Sequence, residues 1–264
     1  MPEWIALSKT DHAQSLYWPR DGYHFAINQA VAPILLAELP KLVPHYALGF
    51  IRQEAGYQAV ALLSLDGQTN LYLHRDGRWL GNYVPASLRG YPFTLANTED
   101  GQKALCLDQA HLSEDQGEPL FDDEGNLATT VQKTLEFLNQ CEQNRVLTQH
   151  AVDALASADV IEQWPLTLER GEGHEPISVN GLYRVSEAAL NALEADAYAQ
   201  LRGGPMALAH AQLFSMSQLS QLSERARFHQ DNHAEHGATQ EIPENLDSVL
   251  DDMDDDDLMF DFDS

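Results

Sequence analysis

Apolar residues follow a short period over the first hundred positions and a longer one afterwards. Residues 3–8 suit a short strand, and Ala47 to Arg52 a longer one. Tyr57 to Leu65 is a nearly unbroken apolar run, as expected of a central strand covered on both faces. Asp66-Gly67 and Asp76-Gly77 then read as turns, separating strands predicted over Asn70–His74 and Arg78–Tyr83. These signals predict an antiparallel meander, with a further strand at Ala104–Asp108. Between Gln29 and Leu42 the pattern is apolar and helix-like, but Pro33 and Pro40 limit any helix there to about two turns.

From residue 113 to 126 the chain is acidic, contains glycine and reads as loop. The period then lengthens. Leu127, Val131, Leu135 and Leu138 predict a helix of about four turns, and Leu147 to Ile161 a second. Strand character returns at Pro165–Leu168 and Ile177–Val179, around a turn at Gly171–Pro176. Ser186 is placed to cap a helix reaching about Leu193. Gly203-Gly204-Pro205 opens another that runs to about Phe228, since proline is pre-set for a first helical turn. A strand-rich stretch (1–112) followed by a helix-rich one (127–228) predicts an α+β fold, with 1–228 as one domain and 229–264 as linker and tail.

Charge changes the picture most at the C-terminal end. Of 264 residues, 15 are Lys or Arg and 41 Asp or Glu, a formal charge of −26. Eleven of those acids lie between Glu241 and Ser264, where no cation occurs, so this acidic tail is expected to be disordered in isolation, after a His-containing linker. Its apolar residues are not scattered, however. Leu246, Val249, Leu250 and Met253 form one helical stripe, and Leu258, Met259, Phe260 and Phe262 follow among acids. Such mixing suits a segment that folds on binding a protein partner with a basic groove. The bland alternative is a solubilising tail.

So acidic a chain is a poor fit to nucleic acid, whose backbone is bound through clustered Lys and Arg. No run of about 18 apolar residues exists to cross a bilayer, so membrane insertion is not expected. Without a basic, apolar leader at Met1–Lys9 the expected location is the cytoplasm, with Cys106 and Cys141 reduced.

Three groups of residues could carry chemistry. His229, His233 and His236 fall on one helical face and could bind a metal, but their apolar-poor surroundings offer no rigid support, so no metal or cofactor is expected. Asp108, His111 and Glu114 have the composition of a carboxylate–histidine iron site that still needs a second imidazole, from His24, His45, His74 or His150. The third group is Arg75, Arg78, Trp79, Tyr83, Arg89, Tyr91 and Phe93, cations and rings of the kind found at binding hot spots. It reads either as that or as a structural corner stiffened by Pro85 and Pro92.

The same block carries a family resemblance. Gly77-x-Trp79 and Tyr83-Val84-Pro85-x-x-x-Arg89-x-Tyr91-Pro92-Phe93 resemble the SapC family of bacterial proteins. Leu105–Asp108, Gly117–Gly125 and Asn180–Glu187 join them in order, so that the likeness spans roughly residues 20–222. The resemblance implies an accessory role in substrate uptake or modification, in the company of TonB-dependent receptors and tryptophan-halogenase-like flavoproteins, with a flavoprotein or its substrate peptide as a conceivable partner. It brings no catalytic residues. The expected function is thus a non-catalytic adaptor, and the alternative a metal-assisted enzyme acting on a peptide or amino-acid side chain.

Overall fold

A five-stranded antiparallel sheet holds most of the core. Its order is β10 (Ile161–Gln163), β13 (Leu182–Val185), β4 (Leu48–Gln53), β5 (Gly56–Leu62) and β3 (Val31–Pro33). The computed structural model describes residues 2–64, 67, 69–98, 101–168 and 177–235. Strands β4 and β5 pair from Leu48↔Ala61 to Gln53↔Gly56, which gives β5 the interior position its apolar run predicts. A second sheet has the order β1 (Trp4–Ala6), β7 (Lys103–Asp108) and β6 (Phe93–Asn97). Two small pairings complete the strands: β2 (Leu16–Tyr17) lies between β8 (Leu112–Ser113) and β9 (Glu118–Pro119), and β11 (Leu166–Leu168) pairs with β12 (Ile177–Val179). Helices and antiparallel sheets together make the fold α+β.

Two apolar clusters result. The larger joins the five-stranded sheet to helices α3 (Thr129–Ser157), α6 (Gly204–Ser215) and α7 (Leu219–Glu235), with Phe50, Leu62, Leu155 and Leu222 fully buried. Burying one such side chain contributes about 1.5–3 kcal/mol. The smaller cluster gathers Tyr17, Phe93, Leu107, Leu120 and Val131. The single 29-residue α3 serves both, through Val131 and Leu138 on the small cluster and Ala151, Val152 and Leu155 on the large one.

That helix corrects the prediction of two. The polar stretch Asn139–Arg145 contains neither Gly nor Pro, so nothing stops helical propagation through it, and the apolar stripe merely changes target. The predicted Gln29–Leu42 helix is also divided: Val31–Pro33 is a sheet edge, and only a 3₁₀ turn at Leu36–Glu38 and α1 (Leu39–Leu42) are helical. Proline suits an edge because it has no N–H to donate. The expected helix to Phe228 is interrupted by a 3₁₀ turn at Met216–Gln218. Ser186 does cap its helix, accepting from Ala189 N at 3.5 Å at the head of α4 (Glu187–Asn191), ahead of α5 (Ala195–Gln200). No helix among the described residues is long and apolar enough to cross a membrane.

Candidate functional site

Asn70 determines how the Arg–aromatic block folds. Fully buried, it donates from Nδ2 to Ala26 O at 3.1 Å and accepts Tyr72 N at 3.0 Å. The backbone demand of this stretch is met by a side chain, so Leu71, Tyr72 and Leu73 can all point inward in succession. The two strands predicted on either side of Asp76-Gly77 are therefore absent, and a single bridge, Leu73↔Trp79, replaces them. The turn itself stands. Gly77 has φ +86° and lies so near His24 that a Cβ would sit 2.6 Å from its ring, while its carbonyl accepts Tyr23 N at 2.7 Å.

Beneath the turn lies a knot of rings. Trp79 Nε1 reaches Tyr46 OH at 2.9 Å and Tyr83 O at 3.1 Å; Tyr46 OH donates to Tyr83 O, and Tyr72 OH donates to His45 O at 2.8 Å. Burial pushes Tyr46 above the ordinary phenol range and Tyr72 up to about 12. Both hydroxyls are neutral donors at physiological pH. From α7, Arg225 stacks 4.5 Å above Tyr72 and donates to Leu80 O at 3.0 Å.

The seven residues of the block do not share one surface. Trp79 and Tyr83 belong to the knot. Arg75 and Arg78 ride the exposed turn, with Arg78 Nε 2.7 Å from Asp76 Oδ2. The Arg78 backbone N–H, with its side chain and that of His74, holds the Asp76 carboxyl below the usual carboxylate range. Arg89 projects from α2 (Ala86–Arg89) to Tyr83 OH at 3.1 Å, with its guanidinium 4.9 Å from the Phe137 ring. Tyr91 OH donates to Asp108 Oδ2 at 2.7 Å, and Phe93 is buried against Tyr17.

A second arrangement emerges around Tyr91. Successive ring centroids run from Trp4 to Tyr91 (6.3 Å), Phe25 (4.0 Å), Tyr23 (6.0 Å), Trp79 (5.5 Å), Tyr72 (5.9 Å) and Tyr46 (4.6 Å). This ladder leads from the surface to the centre of the large cluster. At its outer end Trp4 is 40% exposed, and Arg20 stacks 4.2 Å from Tyr23. Trp18, 46% exposed, is held by its carbonyl 2.7 Å from His111 Nδ1, and the His111 ring lies 5.0 Å from Tyr91. Apart from the closer Phe25–Tyr91 stack, these spacings lie in the 4.5–7 Å range of mutually attractive rings. The sequence carried a sign of this face that went unread: five aromatics, Trp4, Tyr17, Trp18, Tyr23 and Phe25, fall within the first 25 residues.

Asp108 and His111 are thus engaged in positioning rings, and Asp108 also accepts Ala110 N at 3.2 Å. Among the described residues no group of three metal-ligating side chains comes together, the proposed Asp108–His111–Glu114 set included. His229 Nε2 lies 3.1 Å from Leu71 O, whereas the His233 side chain and His236 lie outside the described residues. So do the tail residues Leu250, Met253, Leu258, Met259, Phe260 and Phe262.

One further ionisable group was missed. Glu38, only 4% exposed, accepts Ala86 N at 3.2 Å and has its pKa pushed up to about 7 by burial, against the opposing pull of that bond and of Arg89. Burial likewise raises the thiols of Cys106 and Cys141 above their ordinary range. A family model described as SapC matches residues 7–222. No curated protein and no solved structure gives a match.

Proposed function

The chain belongs to the SapC family, and from that premise we propose that it is a non-catalytic accessory protein that binds a protein partner through the outer end of the aromatic ladder. One observation carries this reading: Trp4 and Trp18 keep a substantial part of their rings exposed although Tyr91, Phe25 and His111 hold the surrounding surface in place. Rigid aromatic rings give large contact area at small entropic cost, and Trp and Tyr are enriched where binding energy concentrates. Arg20 adds a cation that stacking on Tyr23 orients in advance. A partner with aliphatic or proline side chains fits the rings. The acidic, apolar segment after residue 240 would add a second contact, folding into a basic groove of the same partner. Resemblance to SapC proteins supports a setting in substrate uptake or modification, for which a flavoprotein or its substrate peptide is the partner to try first.

Affinity capture from cell extract tests the reading. The intact chain, a chain ending at Gln240, and the double variant Trp4→Ser/Trp18→Ser are compared against one captured protein. The double variant is expected to lose at least ten-fold in affinity while still melting in one cooperative transition, so that the loss is read on a folded protein. Arg89→Ala belongs in the same comparison, as an exposed cation away from the ladder's outer end. Unchanged capture by a folded Trp4→Ser/Trp18→Ser protein removes the aromatic face from the proposal, and unchanged capture by the shortened chain removes the tail.

A further inference from the structure

An open cavity of about 240 Å³ lies where α3 passes the edge strands of both sheets, β3 and β6. None of Trp4, Trp18, Phe25 or Tyr91 lines it, so it is separate from the proposed partner surface. Ile34, Ala59, Leu95, Leu138 and Val152 supply an apolar wall. The polar groups along the α3 side are already engaged with the protein: Thr148 Oγ1 accepts Leu36 N at 2.9 Å and donates to Asn144 O, and Gln149 Nε2 donates to Tyr57 O at 3.0 Å. A molecule entering this space meets hydrocarbon and the Cys141 thiol inside and charge at the rim.

The rim charge is unbalanced. Glu142 receives Arg145 Nε at 2.7 Å and Lys103 Nζ at 2.8 Å, two cations on one carboxylate. Those hydrogen bonds, Arg145's first, hold Glu142 down to about 2, so it is fully ionised and the trio keeps a net charge of +1. An ammonium has three N–H donors, and Lys103 spends one on Glu142. Burial raises the Cys141 thiol, with the Arg89 charge opposing that rise and Glu38 adding to it. In a chain of net charge −26, a local cationic surplus over an apolar recess selects for a particular chemistry.

We propose that this cavity binds a small amphipathic carboxylate, its apolar body between α3 and the sheet edges and its anionic group at Arg145, with Lys103 outside the lining helping to neutralise Glu142. At about 30 Å³ for each water-sized group the space admits about eight such groups, enough for one ring and a short chain. The assignment goes beyond the partner-binding reading and stands or falls independently of it.

Titration of the full chain with 3-phenylpropionate, followed by calorimetry and by protein NMR, tests the assignment, with the neutral 3-phenylpropanamide and the cationic 3-phenylpropylamine as controls. The carboxylate is expected to bind at least ten-fold more tightly than either control and to shift resonances of Leu95, Leu138 and Val152. Lys103→Glu, a substitution on a partly exposed side chain, is expected to abolish the preference for the carboxylate over the amide without changing the fold. Cys141→Trp fills the space and is expected to abolish binding of all three compounds. Equal affinities for carboxylate and amide, resonance shifts confined to other regions, or a Lys103→Glu protein that keeps the preference would each overturn the assignment.

Discussion

Gln212→Leu is expected to destabilise the fold by about 2–6 kcal/mol, measured as a fall in the urea midpoint with an unchanged slope. Strands β13 and β4 pair through Leu182↔Ile51 and Tyr183↔Phe50. Two steps further along, at Val185 and Leu48, α6 inserts two side chains where a ladder would continue. Gln212 accepts Val185 N at 2.9 Å and donates to Leu48 O at 3.2 Å; Ser215 Oγ accepts Leu48 N at 2.9 Å and donates to Gln212 O at 2.7 Å. Both side chains are fully buried. Leucine matches the volume of glutamine but strands one N–H and one C=O away from water, each at about 1–3 kcal/mol. Ser215→Ala strands only Leu48 N–H and should cost about 1–3 kcal/mol. Ser217→Ala, which loses an exposed hydroxyl bond to Phe214 O, should stay within about 0.5 kcal/mol of the parent. A Gln212→Leu protein as stable as the Ser217→Ala control would show that water reaches this junction and that the helix is not what closes the sheet.

This junction also shows why only part of the fold was legible in the sequence. Strand β5, the cap at Ser186, the helix start at Gly204-Pro205, and the order of strand-rich and helix-rich stretches rest on local chemistry, and they form where local chemistry puts them. The meander at 70–83 fails because Asn70, a residue that reads as a turn former, is instead buried and satisfies the backbone from within. Strand β6 was missed because Pro92 and the ring-rich segment before it conceal its beginning. Apolar periodicity lapses over Asn139–Arg145 and so suggests two helices, yet that lapse marks only the passage of α3 from one cluster to the other.

The candidate site was legible in its residue types and not in its grouping. Arg89, Tyr91 and Trp79 stand within the nineteen contiguous positions Arg75–Phe93, but contiguity is a poor guide where a chain turns every few residues. Tyr91 finds its stacking partners at Phe25 and Trp4, and Trp79 finds its own at Tyr23 and Tyr72. Contacts at such sequence separation depend on the packing of two sheets against one helix, and no short-range pattern records them. The aromatic ladder also explains the bias towards rings in this block: its inner members give the large cluster polar ends that need partners, and Tyr83 O and His45 O supply them.

Between pH 5 and 7 the protein is expected to lose stability as pH rises, and Glu38→Gln is expected to remove most of that loss. Burial raises the Glu38 pKa from an ordinary 4.5 to about 7. In this window the unfolded chain has released the proton while the folded one retains it, so folding takes up a proton and weakens with increasing pH. The slope is about 1.4 kcal/mol per pH unit, which gives at most about 3 kcal/mol before the curve levels above pH 7. Glu142 and Asp76, whose pKa values are lowered, act with the opposite sign but at more acidic pH, so they leave this window to Glu38. Glutamine keeps an acceptor for Ala86 N and carries no charge, and Glu38→Gln should therefore be more stable than the parent at pH 8 by up to about 3 kcal/mol and equal to it near pH 4.5. Arg89→Ala should extend the falling limb to higher pH, because Arg89 is the cation that favours ionised Glu38. Urea midpoints at half-unit intervals from pH 4.5 to 8.5 decide the matter. Parallel curves for the parent and Glu38→Gln would mean that the carboxylate is already solvated in the folded protein and that the contact between α2 and the Leu36–Glu38 turn is looser than its geometry indicates.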